Sequence, residues 1–372
     1  MASKPLKIAA NVCRVIVGVM FAFSGFVKAV DPWGTALKVN EYLAIYGMEW
    51  LAPCSMLFSI WLCGAELMMG LMLIFRVRTR LISIFALVSM IFFTGLTFLS
   101  ATWIPVEDCG CFGDALKLSP WETFFKNLVI LPMVFVVWYR YRKDKILVFK
   151  PIEIFLTCLF CTIAMGLGVY CYYTLPLVDF LPYKEGANIY AMIEAQHDTG
   201  SEEMSEEEYV LVYRNRKNGK LKEFSIDDKE WQDDTKWEWV ETRVDNEISP
   251  VQTLVSEFSI TDVEGNATQE ILTTKGYLYM ICVTDMAKLT DKCRARLSKV
   301  VEKAAAEGAS VICLTPQPLR DVTYVNFGGG DDVRCYNIDA TVMKTMLRAE
   351  NGVVVLNDGT IEDKYNCRQI DL

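Results

Sequence analysis

The sequence predicts a membrane all-α half, a four-helix bundle plus a fifth transmembrane helix, followed by a soluble α/β domain. Three observations carry that prediction. Five apolar stretches are each long enough for a bilayer core of about 30 Å, which takes roughly 20 residues of helix. The cations gather in alternate connections between those stretches. The composition also changes abruptly after Leu181: residues 1–181 hold 15 Lys and Arg against 11 Asp and Glu, whereas residues 182–372 hold 22 against 35. A weakly cationic, apolar first half and an acidic, water-loving second half are built for two solvents.

The first span, about Ile8–Val30, follows Lys4 and Lys7. Its apolar run is too long for a signal peptide, and Lys28-Ala29-Val30-Asp31-Pro32 is a poor cleavage site, so it reads as a retained anchor. Spans two and three, about Leu51–Phe75 and Leu81–Trp103, are joined by Arg76, Arg78 and Arg80. The fourth, about Trp121–Tyr139, opens on Ser119-Pro120-Trp121-Glu122. That is an N-cap serine, a proline at the first helical position and a glutamate three residues after the cap. Arg140, Arg142, Lys143, Lys145 and Lys150 separate it from the fifth, about Ile154–Leu177. The other connections hold only Lys38 and Lys117 among Asp31, Glu41, Glu49, Glu107, Asp108 and Asp114. Cations stay on the cytoplasmic side. The expected location is therefore a bacterial inner membrane, with a cytoplasmic N-terminus and residues after about 181 in the periplasm. Trp103 and Trp121 flank a short outer loop, where an interfacial aromatic belt is expected.

That loop reads Glu107-Asp108-Cys109-Gly110-Cys111-Phe112-Gly113-Asp114. Two thiols one glycine apart, facing an oxidising compartment, are suited to cycling between dithiol and disulfide. Gly110 supplies the backbone freedom a ring that tight requires. The three neighbouring carboxylates oppose thiolate formation. A structural staple and a pair of metal ligands are the other readings of the same residues. Deep in the second span, Glu66 is a carboxylate in apolar surroundings, which is costly. It either serves a proton path or lines a quinone or substrate cavity, or it pairs with Lys28, which can equally snorkel to the interface, or hydrogen-bonds to neighbouring hydroxyls. Cys158 and Cys161 in the fifth span form a Cys-x-x-Cys pair, more economically read as apolar filler than as a thiol relay.

Several of these residues resemble the DoxX/MauE membrane proteins, the latter named for methylamine utilisation. The resemblance covers about residues 7–142. It is carried by Ser24-Gly25-Phe26-Val27-Lys28 with Asp31-Pro32, by Gly64-Ala65-Glu66 with Gly70, and most specifically by Cys109-Gly110-Cys111-Phe112-Gly113. It implies a four-helix bundle associated with disulfide formation or electron delivery outside the cytoplasm, and quinone as the candidate carrier.

Four segments make up the expected organisation: the four-span region 1–150, the fifth helix 151–181, a β-rich connector 182–255 and an outer domain 256–372. In the connector, Glu202–Glu208 reads as a solvated acidic run, and Tyr209–Arg214 with Leu221–Ile226 as a hairpin across Asn218-Gly219. Trp231, Trp237 and Trp239 follow in a charged stretch. Beyond it, Phe258–Asp262 with Gly265 suggests a short hairpin, Tyr277–Val283 a buried strand, and Thr290–Glu307 a helix ending at Gly308. Val311–Leu314 reads as a second strand, Met343–Ala349 as a helix, and Val353–Leu356 with Ile361–Lys364 as a hairpin around Asp358-Gly359. The order of these elements resembles a thioredoxin-like domain over about 256–368. The domain lacks the Cys-x-x-Cys of active members at Thr284–Leu289, and Glu350-Asn351-Gly352 stands where a cis-proline belongs. Cys293 in the first turn of its helix reads as a packed thiol, with a lone reactive thiol as the alternative. Cys282 and Cys313 read as core, and Cys335 and Cys367 carry no assignment.

Composition removes several function classes. His197 is the only histidine, which disfavours haem, most zinc sites and imidazole catalysis. No P-loop or strand-following GxGxxG is present, and Gly328-Gly329-Gly330 alone reads as a loop. The acidic second half offers no basic patch for nucleic acid. The sequence thus leads to an extracytoplasmic thiol–disulfide pathway in the membrane. Cys109 and Cys111 would exchange with a partner protein's cysteines, Glu66 would stand beside a quinone, lipid would surround the helices, and no metal would be used. The competing reading is a non-enzymatic scaffold with a Cys-Gly-Cys staple and a partner-docking outer domain. A transporter with Glu66 as coupling carboxylate lacks an evident inverted repeat.

Overall fold

The computed structural model describes residues 4–103, 110–116, 118–144, 150–195, 209–215, 221–225, 236–244, 255, 258–320, 322–328 and 330–370. Glu107, Asp108, Cys109, Lys117, Lys145, His197, the Glu202–Glu208 run, Asn218-Gly219 and Trp231 lie outside these residues.

Six helices of 14 residues or more build the first half: α1 (Lys4–Val30), α2 (Pro32–Ile45), α3 (Ser55–Ile74), α4 (Thr79–Thr102), α5 (Pro120–Tyr141) and α6 (Pro151–Tyr173). Five of the described helices, all but α2, are long and apolar enough to cross a membrane. Their outer faces carry exposed Val12, Ile16, Val88, Phe92, Val129 and Phe155, the surface a hydrocarbon solvent calls for. Ser119 caps α5 as expected: its hydroxyl accepts from the Glu122 amide at 3.3 Å, and the Ser119 amide donates to Glu122 at 2.9 Å. Helix α2 was not foreseen from the sequence, because Lys38, Asn40 and Glu41 break its apolar run. Asp31 nonetheless caps it by accepting from the Gly34 amide at 3.0 Å, with Pro32 at its first position.

Close contact between α1 and α3 sets the geometry of the bundle. A methyl group at Gly25 would collide with the Leu67 backbone, and one at Gly70 with the Ala22 backbone. Small residues at such a crossing let the backbones approach, which is how helices associate where no hydrophobic drive separates them from lipid. At the far end of the same interface Arg14, also unforeseen, reaches from α1 to the terminal carbonyls of α3, Leu73 and Ile74.

In the second half, seven strands form a mixed sheet in the order β10-β9-β5-β6-β8-β4, with β7 paired to β8. These are β4 (Ile260–Thr261), β5 (Tyr277–Val283), β6 (Ser310–Thr315), β7 (Tyr324–Val325), β8 (Val333–Ile338), β9 (Asn351–Asn357) and β10 (Thr360–Asn366). Strands β5, β6 and β8 run parallel, β9 returns antiparallel to β5, and β9 and β10 form the terminal hairpin. Helices α7 (Thr268–Leu272), α8 (Asp291–Glu307) and α9 (Ala340–Leu347) accompany the sheet. Six of seven residues in β5 are buried, as a central strand covered on both faces must be. The Thr290 hydroxyl caps α8 by accepting from the Cys293 amide, and Gly308 ends it in the left-handed region.

The chain divides into two compact units, residues 1–187 with 259–372, and residues 188–258. The second unit carries a three-stranded antiparallel sheet in the order β2-β1-β3, from β1 (Tyr209–Asn215), β2 (Leu221–Ser225) and β3 (Trp237–Val244). Within the first unit, the mixed sheet is fastened to the bundle by polar contacts. Arg348 at the end of α9 pairs with Asp31 at 2.8 Å, both buried. Lys364 pairs with Asp179, Asn366 donates to the Thr174 carbonyl at 3.2 Å, and Arg368 lies over Tyr172 and Tyr173.

One expectation is overturned here. Cys293 is neither a packed nor a lone reactive thiol: it forms a disulfide with Cys367, 74 positions away. Sequence spacing could not reveal the pair, because the hairpin of β9 and β10 is what returns the chain to the start of α8. Cys282 and Cys313 are core, as expected, and Cys335 joins them, opposite Cys313 on neighbouring strands. Burial alone pushes the Cys282 thiol up to about 12, which leaves it inert at neutral pH.

Candidate functional site

Beside the α1–α3 crossing lies a cavity of about 710 Å³, walled by side chains of α1 to α5 and by the loop before α5. Gly25 and Gly70 explain why it is polar at one point. The approach they permit sets Lys28 of α1 against Glu66 of α3, with the ammonium 2.7 and 3.0 Å from the two carboxyl oxygens. Both residues are 5% exposed. The two sequence readings of Glu66, an ion pair with Lys28 and a carboxylate on a cavity wall, are thus realised together.

Ser24, one turn before Lys28, extends the pair towards the loop. Its hydroxyl oxygen is 3.0 Å from Glu66 Oε2 and 2.6 Å from the backbone carbonyl oxygen of Cys111. Cys111 is half-buried, carries a free thiol and lies within electrostatic reach of Lys28, as does Cys63 of α3. Gly110 and Gly113 both take positive φ, +59° and +54°, and the Gly113 amide donates to the Gly110 carbonyl at 3.1 Å. This tight turn presses the next residue inward. Phe112 is buried, 5.8 Å from the Phe23 ring, and Lys126 of α5 stands over its face at 4.3 Å.

One buried donor in the cavity wall is unsatisfied. Asn127 of α5 is 3% exposed, and its side-chain NH2 has no partner among the described residues. Such groups are rare in folded proteins and call for an explanation. Sequence reading missed Ser24, Asn127 and Lys126 as site residues. Only the proximity of Ser24 to Lys28 in a short polar cluster signalled any of them.

Of the residues expected in the site, Glu66 and Cys111 are brought together through Ser24, while Cys109 lies outside the described residues. Cys158 and Cys161 are exposed on α6 and do not line the cavity. Among the described residues no group of three or more His, Cys, Asp and Glu side chains could hold a metal ion.

A match to a known family covers this region. Residues 6–140 match methylamine utilisation protein MauE. The MauE match begins in α1, ends at the last turn of α5, and includes every cavity residue named above. With the five apolar helices it makes the chain a multi-pass membrane protein. Residues 207–245 match a domain of unknown function (DUF8463), coincident with the sheet of β1 to β3. No curated protein and no solved structure matches the chain.

Proposed function

We propose that this protein is the membrane component of an extracytoplasmic thiol–disulfide pathway. The observation that carries the reading is the placement of Cys111 on the wall of a cavity whose polar floor is Ser24, Lys28 and Glu66. A staple needs no cavity beside it. In this reading a disulfide between Cys109 and Cys111 is attacked by a thiolate of a partner protein, and a mixed disulfide forms. The partner's second thiol resolves it, leaving the partner oxidised and the Cys109/Cys111 pair as a dithiol. Two electrons and two protons have then entered the pair.

The cavity suits a quinone as the group that takes them. Its walls are largely apolar, and the unsatisfied Asn127 amide offers a donor to a carbonyl oxygen, the acceptor a quinone carries. When bound, such a carrier accepts two electrons and two protons. The chain's own part is to position that carbonyl with Asn127, hold Cys111 with Ser24, and keep an ionisable carboxylate at the cavity wall in Glu66.

The cations at the start of α1, between α3 and α4 and after α5 support a cytoplasmic N-terminus in a bacterial inner membrane, with the mixed sheet in the periplasm. The Cys293–Cys367 disulfide supports the same side, since such bonds persist in oxidising compartments. Strand order β10-β9-β5-β6, with α8 between two parallel strands and a terminal hairpin, supports a thioredoxin-like reading of that domain. Its two cysteines off the strands, Cys293 and Cys367, are locked together, so its role is to dock the partner.

A redox titration of the native membranes, followed by thiol alkylation and mass analysis of the Cys109/Cys111 peptide, tests the reading. A catalytic pair titrates at about −120 to −270 mV, and a pair still oxidised below about −300 mV is a staple and ends it. Replacing both cysteines with Ala should abolish trapped mixed disulfides; unchanged partner oxidation in that variant equally ends it.

A further inference from the structure

Hydrogen-bond accounting at Ser24 depends on the state of Glu66. A hydroxyl has one proton to donate, and a carbonyl or an ionised carboxylate can only accept. Ser24 Oγ stands 2.6 Å from the Cys111 carbonyl oxygen and 3.0 Å from Glu66 Oε2. With Glu66 ionised, the two acceptors compete for a single proton. With Glu66 protonated, the carboxyl donates to Ser24, Ser24 donates to Cys111, and both contacts are satisfied. That second arrangement costs Lys28 its charged partner, since the ammonium touches both carboxyl oxygens. The two arrangements therefore pull in opposite directions: Lys28 favours the ion pair, and the loop favours the proton.

We infer that Ser24 is a positioning residue that couples the protonation of Glu66 to the hold on the Cys-Gly-Cys loop. Protonated Glu66 frees the Ser24 proton for the Cys111 carbonyl and fastens the loop; ionised Glu66 draws that proton away and loosens it. The charged and titratable groups around this carboxyl are Lys28 on α1, Cys63 on α3 and Cys111 on the loop, with Lys38 of α2 and Lys126 of α5 on the cavity wall. Lys28 and Ser24 both touch the carboxyl, and Ser24 also hydrogen-bonds the Cys111 carbonyl of the loop. The consequence for redox cycling rests on the function proposed above, but the coupling itself does not.

The experiment uses the full chain in native membranes, kept reduced with dithiothreitol that is removed just before labelling. The rate at which N-ethylmaleimide labels Cys111 is read by peptide mass spectrometry. Glu66→Gln is a neutral mimic of the protonated carboxyl: its amide donates to Ser24 and its oxygen still accepts from Lys28. It should slow Cys111 labelling about three- to tenfold, the range a single hydrogen bond supplies. The same substitution in a Ser24→Ala background should change nothing, while Ser24→Thr, which keeps the hydroxyl, should preserve the response. An equal effect of E66Q with and without the Ser24 hydroxyl overturns the inference. If E66Q does not accumulate in membranes, S24A and S24T alone serve instead. Faster Cys111 labelling in S24A with S24T at the wild-type rate supports the hold of the Ser24 hydroxyl on the loop, and equal rates in all three proteins overturn it. Because labelling is read on reduced protein, a Cys109/Cys111 pair that proves to be redox-inactive leaves this test intact.

Discussion

Lys28 and Asp31 sit three residues apart at the end of α1, and each enters a buried ion pair, but the two pairs have different surroundings. Lys28–Glu66 opens onto a cavity, shares a serine with a cysteine loop, and lies beside an unsatisfied asparagine. Asp31–Arg348 lies at the junction of the bundle and the mixed sheet, where Lys364–Asp179 and the Asn366 contact with the Thr174 carbonyl reinforce it. A buried ion pair is by itself weak evidence for stability, because desolvation offsets much of its attraction. Its surroundings decide what it does. The junction pair spans two parts of the fold, and the cavity pair sets ionisable groups beside a loop that carries a thiol.

That contrast can be broken in four places. The largest effect should come from Cys293→Ser, which opens a 74-residue loop and should cost about 4 kcal/mol of stability. It should leave the Cys109/Cys111 midpoint unchanged, and a shift in that midpoint would tie the two cysteine sites together. Next, Arg348→Leu should cost about 3 kcal/mol by removing the guanidinium that offsets the buried charge of Asp31. Denaturant unfolding of the full chain in detergent measures both losses.

At the cavity the expectation differs. Glu66→Leu alone should destabilise on the same scale as R348L, whereas the double substitution K28L/E66L should return to within about 1 kcal/mol of wild type. The double variant should nevertheless lose partner oxidation. If it keeps that activity, the pair serves packing alone and the comparison collapses.

The last effect concerns pH and is the smallest near neutrality, where it vanishes. Burial raises the Cys282 thiol from 9.0 to about 12, so as pH climbs the unfolded chain gives up this proton first. The contribution is whole below pH 9 and is lost between pH 9 and about 12, at up to about 1.4 kcal/mol per pH unit. Unfolding midpoints across that range, compared with Cys282→Ala, measure it. Equal slopes for the two proteins would mean that the thiol is solvated.

The sequence by itself determined the five spans, the Ser119 and Thr290 caps, the β1–β2 hairpin and the alternation of strands and helices after Tyr277. These follow from hydropathy length, local caps and turn chemistry, which act over a few residues and are therefore written in a few residues. It also singled out Glu66 and the cysteine loop, because a carboxylate in hydrocarbon and a Cys-Gly-Cys are conspicuous in one dimension. Tertiary structure decided the rest. The partner of Glu66 was one of two options until the Gly25–Gly70 crossing brought Lys28 within 2.7 Å. The Ser24 bridge spans 87 positions to Cys111, Arg348 meets a residue 317 positions earlier in Asp31, and Cys293 finds Cys367 only after the last hairpin turns back. No local rule encodes such contacts, since they depend on how closely two backbones can approach.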